Sequence, residues 1–198
     1  MTGTPQTAPP KGRVVVISGP SGVGKSAVVA RLLEDPRFGR AITATTRAPR
    51  GAEKDGVDYH FLTKEAFERR LAAGAFLEHA NVYGFLYGTP RDGVEAIRAA
   101  GRPCLLVIDV QGAETLRRDG VDALFVFLEP PSLAELERRM RGRGLDDPAV
   151  IAKRLDAASA EIAQKGRFDR VVVNDDIDAA AATLAAFVGL EFAPARRT

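Results

Sequence analysis

Short runs of apolar residues recur along the chain, with long amphipathic stretches between them. Valine, isoleucine and leucine dominate the runs at 14–17, 105–108, 123–128 and 171–173. Because each run is continuously apolar rather than alternating, the pattern predicts strands buried on both faces, as in a parallel sheet covered by helices. We therefore predict an α/β fold with right-handed crossovers between the strands.

Capping residues indicate where helices begin between these runs. Thr63, Thr89 and Ser132 each precede an amphipathic segment, and Pro90 follows Thr89 at a position that favours a first helical turn. A glycine after each segment predicts where the helix ends. These signals place helices between the strands, as the α/β interpretation requires.

Two segments break the alternation of apolar runs and helices. Residues 41–89 carry Thr, Tyr and Gly with short period-2 stretches, which predicts a small inserted β-rich lobe. Residues 138–154 are dense in arginine and contain Gly142 and Gly144, which predicts a mobile lid. The predicted organisation is a disordered tail at 1–12, one domain at 13–190 with its core at 13–40, 90–137 and 155–190, and a tail at 191–198.

Composition narrows the class of protein without identifying it. A chain of 198 residues with 45% hydrophobic and 27% charged residues suits one globular domain rather than a disordered or fibrous chain. A net charge of +2, from 28 basic and 26 acidic residues, is too balanced to indicate a nucleic-acid partner. The longest apolar run is far too short to cross a membrane. The single Cys104 lies in an apolar run and is predicted to be a buried core thiol, which favours a reducing, cytoplasmic location.

The segment GPSGVGKS follows the first apolar run directly and precedes a helical pattern. It matches the phosphate-binding loop GxxxxGK[ST], in which glycines let backbone N–H groups turn toward a polyphosphate at a helix N-terminus. Lys25 is expected to reach the β and γ phosphates, and the Ser26 hydroxyl to bind magnesium. A glycine-rich turn without a ligand is the alternative, and the motif alone does not separate kinases from ATPases or GTPases. The predicted ATP-binding residues of this loop are Gly19, Pro20, Ser21, Gly22, Val23, Gly24, Lys25 and Ser26.

Eight separated segments, in order, resemble the guanylate kinases. They read GPSGVGKS at 19–26, TTRAPR at 45–50, DYHF at 58–61, FLEHA at 76–80, YGTP at 87–90, IDVQG at 108–112, GRG at 142–144 and VNDD at 173–176. The resemblance extends over residues 14–188. It implies a P-loop NTPase-type parallel sheet flanked by helices, a nucleoside monophosphate-binding lobe and an arginine-rich lid. The implied reaction transfers the γ-phosphoryl group of ATP, with Mg²⁺, to GMP and to dGMP.

The acceptor side of this implied reaction rests on residues whose chemistry suits a purine monophosphate. Guanidinium groups and phenolic hydroxyls can hold the acceptor phosphate, and the alternative for the arginines is solvated surface charge. Glu78 is the predicted reader of guanine, because a carboxylate accepts from two neighbouring N–H donors that adenine lacks. The predicted GMP-binding residues are Thr43, Arg47, Arg50, Tyr59, Glu78, Tyr87, Gly88, Thr89 and Asp109.

The donor side is assigned by the same resemblance. Asn174 and Asp175 match an adenine-side loop, with an Asx turn that caps the last helix as the alternative. Asp109 ends an apolar run, where α/β folds place their ligands, and is predicted with Ser26 to serve the metal. Val107 departs from the second acidic residue usual in relatives. The predicted catalytic residues are Lys25, Arg47, Arg143 and Arg154, whereas Arg138 and Arg139 are expected to lie on a solvated helix face.

Three other functions compete with this interpretation. A non-catalytic guanylate-kinase-like module that binds peptides would typically have a degraded P-loop, whereas Lys25 and Ser26 are intact. A related kinase that acts on ribose bisphosphate is disfavoured by the TTRAPR and YGT segments. A GTPase is disfavoured because the sequence contains no NKxD motif. The oligomeric state stays open between monomer and homodimer.

Overall fold

The structure is a computed structural model that describes residues 10–82, 84–142 and 147–192. These residues form two sheets and seven α-helices. The strands are β1 (Val14–Ser18), β2 (Gly39–Arg40), β3 (Ala44–Thr45), β4 (His60–Phe61), β5 (Phe76–Val82), β6 (Phe85–Pro90), β7 (Cys104–Val107), β8 (Ala123–Glu129) and β9 (Arg170–Val173). The helices are α1 (Lys25–Leu33), α2 (Lys64–Ala72), α3 (Arg91–Ala99), α4 (Val110–Arg118), α5 (Leu133–Gly142), α6 (Pro148–Ile162) and α7 (Ile177–Ala186), and a 3₁₀ turn covers Lys165–Arg167.

The larger sheet has five parallel strands in the order β2-β7-β1-β8-β9. All four apolar runs of the sequence form strands in it, so the predicted parallel α/β core is confirmed. Strand β1 lies at the centre, and every residue in it is buried. Its carboxyl end, where the phosphate-loop motif begins, therefore opens at the middle of the sheet edge, between β7 and β8.

Helices cover both faces of this sheet. Alternate residues of a strand point to opposite faces: Val15 and Ile17 join one hydrophobic cluster, and Val14 and Val16 join another. The first cluster includes residues of α1, α5, α6 and α7, and the second includes residues of α3 and α4. Cys104 is fully buried in the second cluster, as predicted, and burial raises the pKa of its thiol to about 11.

The smaller sheet lies between β2 and α3 in the chain and has the strand order β4-β3-β6-β5. It has its own cluster of buried residues, in which the rings of Phe67 and Phe76 stack with their centroids 4.5 Å apart. The β-rich character predicted for this region is therefore correct. A β-bulge in β5, between Phe76 and Glu78, shifts the register against β6, and bulges of this kind re-aim the side chains beside them.

The helix caps agree with the sequence at two of the three predicted starts. Thr63 and Ser132 accept hydrogen bonds from main-chain N–H groups three residues later. Helix α3 differs, because Pro90 occupies its N-cap position and Thr89 belongs to strand β6. The final helix is capped by Asp176 rather than by Asn174 or Asp175.

Most of the described part of the arginine-dense segment is helical. Helix α5 continues to Gly142, and α6 begins at Pro148 with the Asp147 side chain as its N-cap. Gly144 and the predicted catalytic Arg143 lie outside the described residues. Within the part of the chain that the structure describes, no helix is long and apolar enough to cross a membrane.

Candidate active site

A cavity of about 500 Å³ opens where the carboxyl ends of β1 and β7 face the smaller sheet and helix α6. Residues from four separate parts of the chain line it, and most of the predicted site residues are among them. They are Gly19, Ser21, Lys25 and Ser26 from the phosphate loop; Thr43, Arg50, Tyr59, Glu78 and Tyr87 from the smaller sheet and its loops; Asp109 after β7; and Arg154 on α6.

The phosphate loop has the backbone geometry that an anion cradle requires. Gly24 is the N-cap of α1 with φ 101°, and no side chain caps the helix. A helix N-terminus offers its first main-chain N–H groups and its positive end to an anion. Gly19, with φ 143°, passes so close to the carbonyl of Leu128 that a Cβ atom would collide with it. Pro20 and Val23 belong to the same turn, in which the Val23 N–H donates to the Pro20 carbonyl.

Lys25 is folded over this loop. Its Nζ donates to the carbonyls of Gly19, at 2.5 Å, and Pro20, at 3.0 Å. The ammonium group therefore lies at the mouth of the cradle, beside the amides that would face a polyphosphate. Its positive charge also acts on the carboxyls of Asp109 and Glu161 across the cavity, where it lowers their pKa against the larger opposing effect of burial.

Glu78 is buried at the opposite end of the cavity, with 4% of its surface exposed. It pairs with Thr89 across β5 and β6, and the Thr89 hydroxyl donates to Glu78 Oε1 at 2.5 Å. Burial raises the pKa of Glu78 to about 7, and nearby Asp109 acts in the same direction. A Cβ at Gly112 would lie 2.8 Å from Glu78 Oε2, so only glycine leaves room for the carboxylate there. Thr43, also buried, lines the cavity near these groups.

Four further acceptor-side residues form a cluster next to this carboxylate. Arg50, Tyr59 and Tyr87 line the cavity. Arg47 lies behind them, only 6% exposed, and its Nε donates to the Tyr87 hydroxyl at 3.2 Å. Gly88, by contrast, packs against the rings of the small core, where a Cβ would lie 2.9 Å from Phe76, so it contributes by shape alone.

Asp109 follows β7 directly and caps α4 by accepting from the Gly112 N–H at 2.8 Å. Burial raises the pKa of its carboxyl. Ser26 lines the same cavity. Hydroxyl and carboxylate oxygens suit Mg²⁺, which takes few protein ligands and keeps waters or phosphate oxygens. Ser26 and Asp109 therefore have the chemistry to hold a cation that a nucleotide also binds. The described residues contain no group of three or more His, Cys, Asp and Glu side chains that could bind a metal by themselves.

Asn174 supports the phosphate loop from beneath. It is 2% exposed, its Nδ2 donates to the Val23 carbonyl at 2.7 Å, and its own N–H donates to Glu129. Asp175, beside it, is exposed. Neither residue lines the cavity, so their predicted contact with adenine stays a prediction.

Arg139 corrects one expectation. The sequence predicts a solvated helix face at this position. The Arg139 Nη1 instead donates to the carbonyls of Asn174, at 2.9 Å, and Val23, at 3.4 Å, and its Nε donates to Glu135. The side chain thus joins α5 to the phosphate loop and to the segment after β9. Arg138 is 75% exposed, as expected for a solvated position.

Comparisons with known proteins show which family the chain belongs to. The model of the family described as guanylate kinase matches residues 11–191. The chain belongs to the guanylate kinase family. Over 176 residues it is 51% identical to the guanylate kinase of Frankia casuarinae (strain DSM 45818 / CECT 9043 / HFP020203 / CcI3), an alignment that covers 88% of this chain and 96% of that one. It is 49% identical to the guanylate kinase of Mycobacterium sp. (strain MCS), with 87% and 89% covered.

Solved structures give the same result. The crystal structure of guanylate kinase from Anaplasma phagocytophilum superposes with a TM-score of 0.76 at 35% identity, and the match covers 91% of this chain and 86% of that one. The resemblance in the eight motifs is therefore confirmed as kinship within the guanylate kinase family. The fold predicted from the sequence is confirmed with it.

Sequence reasoning missed two acidic residues in this guanylate kinase. Glu161 lines the cavity from α6, seven residues after Arg154 and therefore on the same side of the helix; that spacing was the available signal. Glu53 binds Arg47 with both carboxylate oxygens. It lies in a loop, where a carboxylate ordinarily indicates only solvent exposure. Val107, the departure from the usual acidic residue, lines the cavity as an apolar group.

Proposed function

We propose that this guanylate kinase family member transfers the γ-phosphoryl group of ATP to GMP, and to dGMP, and releases ADP and GDP. The observation that carries the proposal is one cavity with a main-chain phosphate cradle at one end and a buried carboxylate, Glu78, at the other. The family of the chain and its match to guanylate kinases along most of their length support it.

On the donor side, the amides at the start of α1 bind the phosphates of ATP, and Lys25 leaves the loop carbonyls for phosphate oxygens. When bound with ATP, Mg²⁺ would supply positive charge next to the phosphates. Ser26 would bind the cation directly. Asp109, at the end of β7, would orient water bound to the cation or the acceptor. Asn174 and Asp175 would meet the adenine side after the Asn174 side chain turns outward.

On the acceptor side, ionised Glu78 accepts hydrogen bonds from the N1–H and 2-amino groups of guanine, with Thr43 and Thr89 beside it. Adenine offers no such pair of donors and would leave the buried carboxylate with the Thr89 hydroxyl but without the two donors of the base. An unsatisfied charged group of this kind costs about 1–3 kcal/mol or more. Arg47, Arg50, Tyr59 and Tyr87 form the subsite for the acceptor phosphate.

The transfer itself needs positioning and charge neutralisation rather than a general base. A monophosphate is largely dianionic at neutral pH, so its oxygen is already a nucleophile. Lys25 and Arg154, together with Arg143 of the lid, stabilise the charge on the transferring group. We infer that closure of α5 and α6 over the cavity also excludes water and limits ATP hydrolysis; hydrolysis without GMP that matched the rate of transfer would refute this safeguard.

The same proposal includes the parts of the chain, its location and its partners. The chain divides into the core, the acceptor lobe at 41–89 and the lid at 138–154, and the protein acts in the cytoplasm on free purine nucleotides. Its partners are small molecules rather than nucleic acid or membrane.

The test is a coupled assay of ADP release with GMP, dGMP, AMP and ribose bisphosphate as acceptors. We expect turnover with GMP and dGMP, and at least 10²-fold lower kcat/KM with AMP, on the order that unpaired polar groups impose. Turnover only with ribose bisphosphate would identify the related kinase. No ADP release with any acceptor, despite tight GMP binding, would identify a non-catalytic binding module.

A further inference from the structure

Arg47 occupies an unusual position for a group expected to bind the acceptor phosphate. Its guanidinium is almost fully buried, and its Nη1 and Nη2 donate to the two carboxylate oxygens of Glu53 at 2.9 and 3.0 Å. Nη1 also donates to the carbonyl of Ala48 at 2.7 Å. The outer edge of the guanidinium is therefore filled by protein.

On its remaining side, Arg47 contacts two tyrosines that line the cavity. Its Nε donates to the Tyr87 hydroxyl at 3.2 Å, and its cationic carbon lies 5.3 Å from the centre of the Tyr59 ring. Arginine has five N–H donors, and four of them are used in these contacts. Its fifth donor, on Nη2, meets no acceptor within the described ranges.

Tyr87 gains a defined direction from this contact. A phenolic oxygen that accepts from a guanidinium retains its own proton for donation, and Tyr87 lines the cavity. The proton of the Tyr87 hydroxyl can then point to an anion in the cavity, polarised by the positive charge behind it. Arg47 itself does not line the cavity in this state.

Glu53 fixes a second part of the same subsite. Its Oε2 accepts from the main-chain N–H of Arg50 at 2.8 Å, in addition to the Arg47 contact. Arg50 lines the cavity, so one carboxylate holds both the first arginine and the backbone of the second. The hydrogen bonds from Arg47 keep the pKa of Glu53 below its ordinary value, and the group is thus charged at neutral pH.

We propose that Glu53 is the positioning residue of the acceptor-phosphate subsite: it holds Arg47 against Tyr87 and Arg50 at the cavity wall, so that these groups meet the phosphate already in place. This rests on the proposed function only in taking the acceptor to be a nucleoside monophosphate. Glu53 does not line the cavity and acts through its contacts with Arg47 and Arg50.

Two opposing effects decide what removal of the Glu53 charge would do. A negative charge near the subsite repels phosphate, so its loss would favour binding. Loss of the charge also frees the Arg47 guanidinium and the Arg50 backbone. The ligand must then order both groups, which weakens binding. Water screens the repulsion, since Glu53 keeps a quarter of its side chain exposed, whereas three hydrogen bonds are lost or weakened. The ordering effect is therefore the larger one.

The experiment compares Glu53→Gln with Glu68→Gln, a matched control on α2 of the same lobe whose side chain is 55% exposed. Affinities for GMP, guanosine and ATP are measured by calorimetry, and KM and kcat by the coupled assay. For Glu53→Gln we expect GMP affinity to fall about 10- to 100-fold, the range for hydrogen bonds to charged groups. Affinities for guanosine and ATP should stay within about twofold, and Glu68→Gln should match the wild type throughout.

Equal losses for GMP and guanosine in Glu53→Gln would show a structural role and overturn the proposal, as would unchanged GMP affinity. Should Glu53→Gln fail to fold, Tyr87→Phe tests the same chain of contacts. It must lower the affinity for GMP and spare that for guanosine; unchanged GMP affinity would overturn the proposal. A wild type that binds GMP more tightly than guanosine, yet transfers no phosphoryl group, would refute the proposed function and leave this inference intact.

Discussion

The buried carboxylate at the base end of the cavity should destabilise the empty protein above neutral pH. Replacement of Glu78 by glutamine tests this, because glutamine has the same shape without the charge. The Thr89 hydroxyl can still donate to the amide oxygen, as it does to Glu78 Oε1. Glu78 Oε2 and Asp109 Oδ1 both lie beside Gly112. The new amide N–H₂ group would therefore lie near the Asp109 carboxylate. The variant therefore keeps its polar partners.

The magnitude follows from the pKa of Glu78, which burial raises from 4.5 to about 7. Below pH 4.5 the carboxyl is protonated in both the folded and the unfolded chain and contributes nothing to the pH dependence. Between pH 4.5 and 7 the unfolded chain releases this proton while the folded chain retains it, so the free energy of unfolding falls as pH rises. Above pH 7 the loss is complete and amounts to about 3 kcal/mol.

The assay is urea denaturation of the ligand-free wild type and Glu78→Gln at pH 5 and pH 8, with Glu68→Gln as the exposed control. We expect the two curves to be close at pH 5, and Glu78→Gln to be more stable at pH 8 by about 2–3 kcal/mol. The same variant should lose selectivity for GMP, since its amide replaces one of the two acceptor oxygens with an N–H₂ donor, which would face a donor of guanine. A stability difference that is the same at both pH values would refute the reasoning.

Two further substitutions test the donor side of the cavity. Lys25→Met removes the ammonium at the cradle and should lower kcat about 10²- to 10³-fold, on the scale of one lost charge-stabilising donor. Its circular dichroism spectrum should be like that of the wild type. An active variant would contradict the role of Lys25. Arg139→Met breaks the contacts with the carbonyls of Val23 and Asn174 and should raise KM for ATP about 10-fold. The exposed control Arg138→Met should leave this KM unchanged. Equal KM values in both variants would contradict the bridging role.

The fold was predictable from sequence where local pattern determines structure. The run at 14–17 is continuously apolar because β1 lies at the centre of a parallel sheet, and Thr63 and Ser132 cap helices through bonds to residues only three positions away. The phosphate loop was predictable for the same reason, since its conformation depends on glycines within six residues.

The acceptor site depended on information that no local pattern contains. Glu78 meets Thr89 only because a hairpin with a bulge sets their register. Glu53 reaches Arg47 across a turn of irregular backbone, and Arg139 bonds to residues 35 and 116 positions away in the chain. Residue type predicted Glu78 and Arg47 through family motifs, but the partners that set their charge and direction became visible only in three dimensions.

The two ends of the cavity differ in how their binding groups are held, and this difference should determine how each responds to mutation. The cradle consists of main-chain amides fixed by glycine geometry, with Asn174 Nδ2 bound to the Val23 carbonyl beneath it, so most side-chain changes nearby leave its donors in place. The acceptor end consists of side chains, and one of them, Arg47, is held by the ionic partner Glu53. A single charge removed there releases a second group, so losses at the acceptor end should exceed the value of the contact removed and should be non-additive.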